Sequence, residues 1–243
     1  MRIPVIRGVI ERRILANFRV DPVVMAKALP PPFRPKTVRG FSVGGICLIR
    51  LRAVRPRWSP VPFGLSSENA AHRIAVEWDE GAVVREGVFV PRRDTSSWAN
   101  AVVGGRLFPG VQHHARFAVD ERGDDYSVSM VSQDDATHVS FVGSRTDRLP
   151  RESVFESIAE VSAFFEQGSL GYSCTRTDGR FDGLELRTKT WSVAPLTAHE
   201  VTSSYFEDER SFPAGSVAFD NALLMRDIDH EWHGRDALSA NAP

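Results

Sequence analysis

The sequence predicts an α+β fold in which a mainly antiparallel, curved β-sheet or barrel surrounds a central pocket, with a few helices flanking it. Short apolar runs rich in β-branched and aromatic residues recur along most of the 243 residues. Only two or three stretches have helical spacing, and strands and helices do not alternate as they do in a dinucleotide fold. Ionisable residues are threaded through the central strands. Since burying them is costly unless they are paired, they indicate a ligand pocket.

The first elements are a short helix and a buried strand. Asp21 has the character of an N-cap and Pro22 suits the first helical position, so we expect a helix that stops before Pro30. Residues 40–52 are apolar and β-branched, which is typical of a largely buried strand. Prolines at 56, 60 and 62 then indicate a loop.

The strand predicted at 70–78 alternates between two faces. His72 lies on an apolar face, whereas Arg73 lies on a face that suits either solvent or a polar lumen. The sequence does not decide which face points inward. A further strand follows at 83–92, and Thr95 or Ser96 can cap a short helix carrying Trp98, Val102 and Val103.

The second half of the chain contains the remaining strands and the clearest helix. Apolar residues at helical spacing predict this helix over 152–167, and Gly168 suits its C-cap. The tail after Trp232 is expected to be loose. We expect a single domain, 1–243, with its core at about 10–232. Strands are predicted at about 113–120, 126–133, 137–143, 169–175, 184–193, 200–206 and 216–222.

Composition excludes several classes of function. The net charge of −1 gives no basic excess for nucleic acid or a membrane surface. Two cysteines without a CxxC spacing indicate a reducing compartment, with Cys47 and Cys174 as small buried side chains. Arginines interrupt the apolar runs of the N-terminus, so we expect no signal peptide, no membrane span and a cytoplasmic protein.

Known catalytic motifs are missing or incomplete. Residues 105–110 have the glycine spacing of a phosphate-binding loop but lack the lysine that should follow. No GxSxG nucleophile elbow occurs. His230 and His233 fall one residue short of the HExxH spacing, and a polar C-terminal surface explains them better.

An ordered series of segments carries a family resemblance. The segments are NFRVDPVVMAKALPPPF, GFSVGGICLIRLR, VPFGLSSENAAHRIAV, GVFVPRRDTSSW, GRLFPGVQHHARF and WSVAPL. Together they resemble the DUF2071 (YqjF-like) family of the acetoacetate decarboxylase-like superfamily, over roughly residues 10 to 232. The resemblance implies a curved antiparallel barrel or cone with outer helices and a central pocket.

The resemblance does not imply that this protein catalyses the decarboxylase reaction. Acetoacetate decarboxylase uses a Schiff-base lysine that follows a Phe-Pro pair. Here Phe108-Pro109 precedes Gly110, and no lysine lies between Lys36 and Lys189. Lys189 is a conceivable substitute, although a solvated position on a strand face suits it better.

The resemblance also implies site residues. Glu68, Arg73, Asp94 and Arg106 match charged positions of the DUF2071 pattern. A structural interpretation competes, in which Glu68–Arg73 and Asp94–Arg106 are buried ion pairs that fix loops.

Two main hypotheses follow. In the first, the protein binds or converts a small organic acid or carbonyl compound without a cofactor or metal. Arg73 and Arg106 would hold the anion, Arg92 and Asp94 would complete the ligand-binding set, and Glu68 or His113 would transfer protons. In the second, a non-catalytic protein holds an apolar ligand or acts as an assembly module.

Two further expectations concern metals and assembly. A weaker hypothesis is metal-dependent chemistry from His72, His113 or His114 with Glu68. Exposed strand edges and the amphipathic helix also suggest a homo-oligomer.

Overall fold

The computed structural model describes residues 4–60, 64–98 and 110–240. Two helices lie in this part of the chain, α1 (Pro22–Ala28) and α2 (Ile158–Gln167). The strands are β1 (Ile6–Val20), β2 (Arg34–Pro35), β3 (Thr37–Val38), β4 (Phe41–Pro56), β5 (Leu65–Glu80), β6 (Val83–Thr95), β7 (His113–Arg122), β8 (Asp125–Ser132), β9 (His138–Arg145), β10 (Leu170–Cys174), β11 (Arg180–Thr188), β12 (Ala194–Ser203) and β13 (Val217–Ser239).

All thirteen strands belong to one mixed sheet that curves into a ring. The order β6-β7-β8-β9-β12-β13-β1-β4-β5 returns to β6 through the β5–β6 pairing, and β10 and β11 bridge from β6 back to β13. Most pairs are antiparallel, whereas β6 pairs in parallel with β7 and β10. The predicted α+β class with a mainly antiparallel curved sheet is therefore confirmed.

Strands β1, β4 and β5 form a wall with a hydrophobic core on each face. On β4, Ile46 belongs to the first core and Cys47 to the second, because successive side chains of a strand point to opposite faces. Helix α2 covers the second core with Val161 and Phe165. The candidate site lies on this second face.

Strand β1 was not predicted from the sequence. Arginines at 7, 12 and 13 broke its apolar pattern, yet β1 pairs along its whole length with β4 and β13. A register shift between Ile10 and Arg12 swaps the faces of the strand. Ile10 packs in the second core, while Arg12 turns to the other face and is fully buried.

The end of the chain also differs from the prediction. We expected a loose tail after Trp232, but β13 continues to Ser239 because β11 pairs with it from Arg180 to Thr188. His230 is therefore a buried strand residue packed against Trp232, at 4.4 Å between ring centroids, and not part of a polar surface.

The predictions of α1 and α2 are confirmed, apart from the start of α2. Asp21 caps α1 by accepting hydrogen bonds from the amides of Val23 and Val24. Helix α2 begins at Ile158, not at 152, because Ser157 is its N-cap and accepts from the Glu160 amide. The helix predicted after Thr95 lies mostly outside the described residues. No helix in the described part of the chain is long and apolar enough to cross a membrane.

Candidate functional site

A cavity of about 150 Å³ opens on the second face of the wall. Strands β1, β4, β5 and β6 form one side of it, and β10, β11, β13 and α2 form the other. Its apolar lining comes mainly from Ile10, Ile49, Leu51, Val54, Leu65, Val88, Val90, Phe165, Leu184, Leu186, Trp191 and Trp232. Its charged residues are Arg13, Arg73, Arg93 and Asp94, joined by Asn69, Gln112 and Cys47.

Arg73 is the most deeply buried of these cations. Its side chain lies over the Phe165 ring, with Cζ 4.4 Å from the ring centroid, and it donates a hydrogen bond to Oδ1 of Asn17. Burial lowers the pKa of Arg73 to about 9, with a smaller contribution from Arg13. The Cys47 sulfur works in the opposite direction, and no carboxylate pairs with Arg73 in the described residues.

Register explains how Arg73 reaches Asn17. Arg73 on β5 is opposite Gly45 on β4, which is opposite Asn17 on β1, which in turn is opposite Asn221 on β13. The glycine leaves room for the arginine to pass, because a Cβ at this position would lie 3.1 Å from Asn17 Oδ1. Asn17 donates in turn to Asn221 Oδ1 at 2.7 Å.

Arg13 and Arg93 lie on either side of Cys47. The Nε atom of Arg13 is 3.1 Å from Cys47 Sγ, and its Nη1 atom is 3.8 Å from the sulfur of Met225. Arg93 donates to Ser173 Oγ at 2.9 Å. Burial lowers the pKa of Arg93 to about 10. Neither arginine forms an ion pair with a carboxylate in the described residues.

Asp94 is the acidic residue of the cavity wall, and its carboxylate is already paired. Arg92 lies 3.0 Å from Asp94 and 2.9 Å from Asp134, so it bridges the two aspartates. Burial raises the pKa of Asp94, and the hydrogen bond from Arg92 works in the opposite direction. Arg92 therefore forms ion pairs beside the cavity, whereas Asp94 is part of the cavity wall.

Glu68 lies on the other face of β5 from Arg73, so the predicted Glu68–Arg73 ion pair is wrong. The two residues are five positions apart, and side chains at odd separations point to opposite faces of a strand. Glu68 instead pairs with the fully buried Arg12 and with Arg50. Glu121 closes this cluster through Arg12, Arg50 and Arg226.

Of the three histidines in the metal hypothesis, His113 and His114 are neighbours at the start of β7, and His72 lies apart from them. His113 is 37% exposed, with Nδ1 3.3 Å from Asp134 Oδ2. His114 stacks on Trp98, with 3.9 Å between ring centroids. His72 is buried on the first face, where its Nε2 atom is 3.0 Å from Ser203 Oγ. The described residues do not bring these rings together with Glu68, and they contain no group of three or more His, Cys, Asp or Glu placed to hold a metal.

The lysines lie outside the cavity wall. Lys189 is 84% exposed, 3.8 Å from Asp229, and Lys36 pairs with Glu86. Lys27 is in the last turn of α1. Arg106, expected to bind an anion and to pair with Asp94, lies outside the described residues.

Sequence reasoning did not name Arg13, Arg93 or Cys47 among its site residues. Arg13 was missed because β1 was not recognised as a strand. Arg92 and Asp94 were chosen instead of Arg93. A register shift in the β5–β6 pairing, between His72 and Ile74, decides which of these neighbours faces the cavity, and a single strand's sequence does not show it. Among the cavity arginines, Arg73 had a signal in the sequence. The alternation of residues on β5 places Arg73 on the face opposite the apolar one.

Three solved structures are similar in fold to this chain. An acetoacetate decarboxylase from Legionella pneumophila aligns with a TM-score of 0.60 and 12% identity, covering 96% of this chain and 87% of that one. The enduracididine biosynthesis enzyme MppR complexed with pyruvate aligns at 0.57 and 10%, covering 100% and 93%. An acetoacetate decarboxylase-like enzyme from Sphingomonas wittichii aligns at 0.56 and 10%, covering 97% and 92%.

These likenesses establish a shared acetoacetate decarboxylase-like fold. Comparison with curated proteins gave no match. The sequence profile of DUF2071, described as an uncharacterized conserved protein, matches residues 9–219. With most of its length matched, the chain belongs to the DUF2071 family.

Proposed function

We propose that this protein binds a small organic acid, or a carbonyl compound bearing a carboxylate, in the cavity between β5 and α2. One observation carries the proposal. Arg13, Arg73 and Arg93 all line the cavity, and none of them pairs with a carboxylate in the described residues. Every aspartate and glutamate side chain of the chain falls within those residues.

Unpaired guanidiniums in a closed space favour an anion. Removing a cation from water is costly unless a counter-charge and hydrogen bonds replace its hydration shell. A carboxylate offers two acceptor oxygens that match the guanidinium fork. Burial lowers the pKa values of Arg73 and Arg93, and the Cys47 sulfur works in the opposite direction for both.

The size and lining of the cavity limit the ligand. A space of about 150 Å³ is that of a cavity that holds one benzene-sized molecule. The apolar part of the wall, which includes Leu184, Leu186 and Trp191, suits a short hydrocarbon tail. The pyruvate complex of MppR, a structure of the same fold, supports a ligand of this class.

A Schiff-base decarboxylation is not part of the proposal. That reaction needs a lysine amine in the pocket. The three lysines of the chain lie elsewhere, on α1, beside Glu86 and beside Asp229.

Matched acids and amides test the proposal by calorimetry. We expect pyruvate and isobutyrate to bind and pyruvamide and isobutyramide not to bind. Losing one charged hydrogen-bonding partner should weaken acid binding by about 10-fold or more in Arg73→Met and in Arg93→Met. Arg122→Met is the control, because Arg122 is 82% exposed and pairs with Asp120 on the surface.

Two results would contradict the proposal. One is equal affinity for each acid and its amide. The other is acid binding that survives both cavity substitutions. Binding confined to uncharged apolar compounds would favour the second hypothesis of the sequence analysis, a non-catalytic apolar-ligand or assembly module.

A further inference from the structure

The thiol of Cys47 lies at the centre of the cationic part of the cavity. On β4, Cys47 is opposite Ala71 of β5, which is opposite Arg93 of β6. Arg73 is two residues from Ala71 on β5, so it occupies the adjacent position on the same face. Arg13 contacts the sulfur directly, with Nε 3.1 Å from Sγ.

Arg73 and Arg93 both interact electrostatically with the Cys47 sulfur, and Arg13 contacts it. Neighbouring strands are about 4.8 Å apart, and residues i and i+2 of a strand are about 6.8 Å apart. Arginine side chains are long enough to span these separations. Ala71 has only a methyl group, which leaves space between Cys47 and Arg93.

A second observation, independent of the cysteine, indicates that a ligand enters here. Arg73 is 4% exposed, lines the same cavity, and has an Nε atom without a hydrogen-bond partner in the described residues. An unsatisfied donor on a buried cation is a position that a ligand oxygen can occupy.

Cationic neighbours also change the chemistry of a thiol. The nucleophilic form of cysteine is the thiolate, and in this cavity a guanidinium, that of Arg13, is in direct contact with the Cys47 sulfur. The same positive charges attract an anionic ligand and favour negative charge on an oxygen formed beside them. One group of residues can therefore bind an acid and activate the sulfur next to it.

We propose that Cys47 is a nucleophile that adds reversibly to the carbonyl carbon of a 2-oxo acid bound in this cavity. This inference rests on the proposed function, whose ligand it narrows to acids carrying an electrophilic carbonyl. The sulfur forms a bond to the carbonyl carbon and the S–H bond breaks. The π bond of the carbonyl opens, and its oxygen takes up the proton. The product is a thiohemiketal, and no oxidant or reductant is required.

Cys174 provides a control within the same chain. It is only partly buried and is absent from the cavity wall. Burial raises the pKa of the Cys174 thiol, so this sulfur should be the less reactive of the two despite its greater exposure.

Competing alkylating agents test the reactivity of the sulfur. Iodoacetate and iodoacetamide differ in charge, and peptide mass spectrometry measures the labelling rate at each cysteine of the folded protein. We expect the iodoacetate-to-iodoacetamide rate ratio at Cys47 to exceed that at Cys174 on the order of tenfold, the lower range for a charged cleft. Arg73→Met and Arg93→Met should each lower the ratio at Cys47 and leave the ratio at Cys174 unchanged.

Carbon-13 NMR with [2-¹³C]pyruvate tests the covalent step. In the Cys174→Ser protein, we expect a new resonance from a tetrahedral carbon, and Cys47→Ser should abolish it. Equal alkylation ratios at the two cysteines, or no tetrahedral resonance with saturating pyruvate, would overturn the inference.

Lactate separates this inference from the proposed function, because it is an acid without a carbonyl group. If calorimetry shows lactate binding while Cys47 forms no adduct with pyruvate, the covalent inference is wrong and the proposed function stands. If neither lactate nor pyruvate binds, the proposed function is wrong and the covalent step fails with it.

Discussion

The guanidinium of Arg73 on β5 passes over Gly45 on β4 and donates a hydrogen bond to Asn17 Oδ1 on β1. Asn17 continues the row to Asn221, whose amide donates to Asp220 at 2.5 Å. Asp220 in turn accepts from the Val154 amide at 2.8 Å, in the segment that leads into α2. The cation of the cavity is thus linked through buried polar groups to the segment that positions the covering helix.

Gly45→Ala should break the first link of this row. A Cβ at position 45 would lie 2.5 Å from the carbonyl oxygen of Ala16 and 3.1 Å from Asn17 Oδ1. We expect the free energy of unfolding to fall by about 1–3 kcal/mol, as in other overpacked sites. Because Arg73 would lose its alignment, acid affinity should fall as well. Urea unfolding and calorimetry measure the two effects, and unchanged values for both would contradict the interpretation of the row.

Arg13→Met should stabilise the ligand-free protein. Within the described residues, the hydrogen bonds of the Arg13 side chain go to the soft sulfur acceptors of Cys47 and Met225, and methionine would pack against both. Arg13 is half-buried, and removing its charge, which pairs with no carboxylate in the described residues, should raise the free energy of unfolding by about 1 kcal/mol, while acid affinity falls. Urea unfolding with an unchanged m-value checks the first effect. A destabilised variant would show that Arg13 supports the fold.

Glu68→Gln tests whether this residue has a structural or a catalytic role. Glu68 neutralises Arg12, which is fully buried, and does not line the cavity. We expect a loss of about 3 kcal/mol in the free energy of unfolding, since Arg12 would lose one of its two carboxylate partners. Pyruvate affinity, measured by calorimetry below the unfolding transition, should match the unsubstituted protein. Lost binding with full stability would restore Glu68 as a site residue.

Acid should destabilise the protein through two buried histidines. Burial lowers the pKa of His72 to about 3 and that of His230 to about 4, from an ordinary value of 6.5. Between pH 6.5 and 4 the unfolded chain therefore binds more protons than the folded one, so stability falls as pH falls. Each histidine should contribute about 1.4 kcal/mol per pH unit in this window.

His230→Leu isolates one of the two contributions to this pH dependence. The variant should show a shallower decrease in the free energy of unfolding between pH 6.5 and 4, while His138→Asn, at an exposed position, should match the unsubstituted protein. Urea unfolding at a series of pH values measures the slope. An unchanged slope in His230→Leu would show that His230 is not the titrating group.

The sequence pattern predicted the structural elements that depend on residues close to them in the chain. The caps of α1 and the C-terminal end of α2 depend on side chains a few residues away, so Asp21 and Gly168 could be identified directly. In the same way, the alternation of apolar and polar residues on β5 placed His72 and Arg73 on opposite faces of the strand. Strand β1 could not be identified in this way, because the carboxylates that pair with its buried Arg12 come from distant parts of the chain, Glu68 on β5 and Glu121 on β7.

The sequence by itself determined the fold class, the family and the presence of Arg73 on one face of its strand. The tertiary structure decided which other arginines line the same cavity. Arg13, Arg73 and Arg93 come from three strands, and their convergence on Cys47 depends on the register between β1, β4, β5 and β6. Register is a property of paired strands, and a shift of one residue reverses every side chain. For that reason a single strand's pattern identified Arg73 as a candidate, while its separation from Glu68 and its contact with Asn17 required the folded sheet.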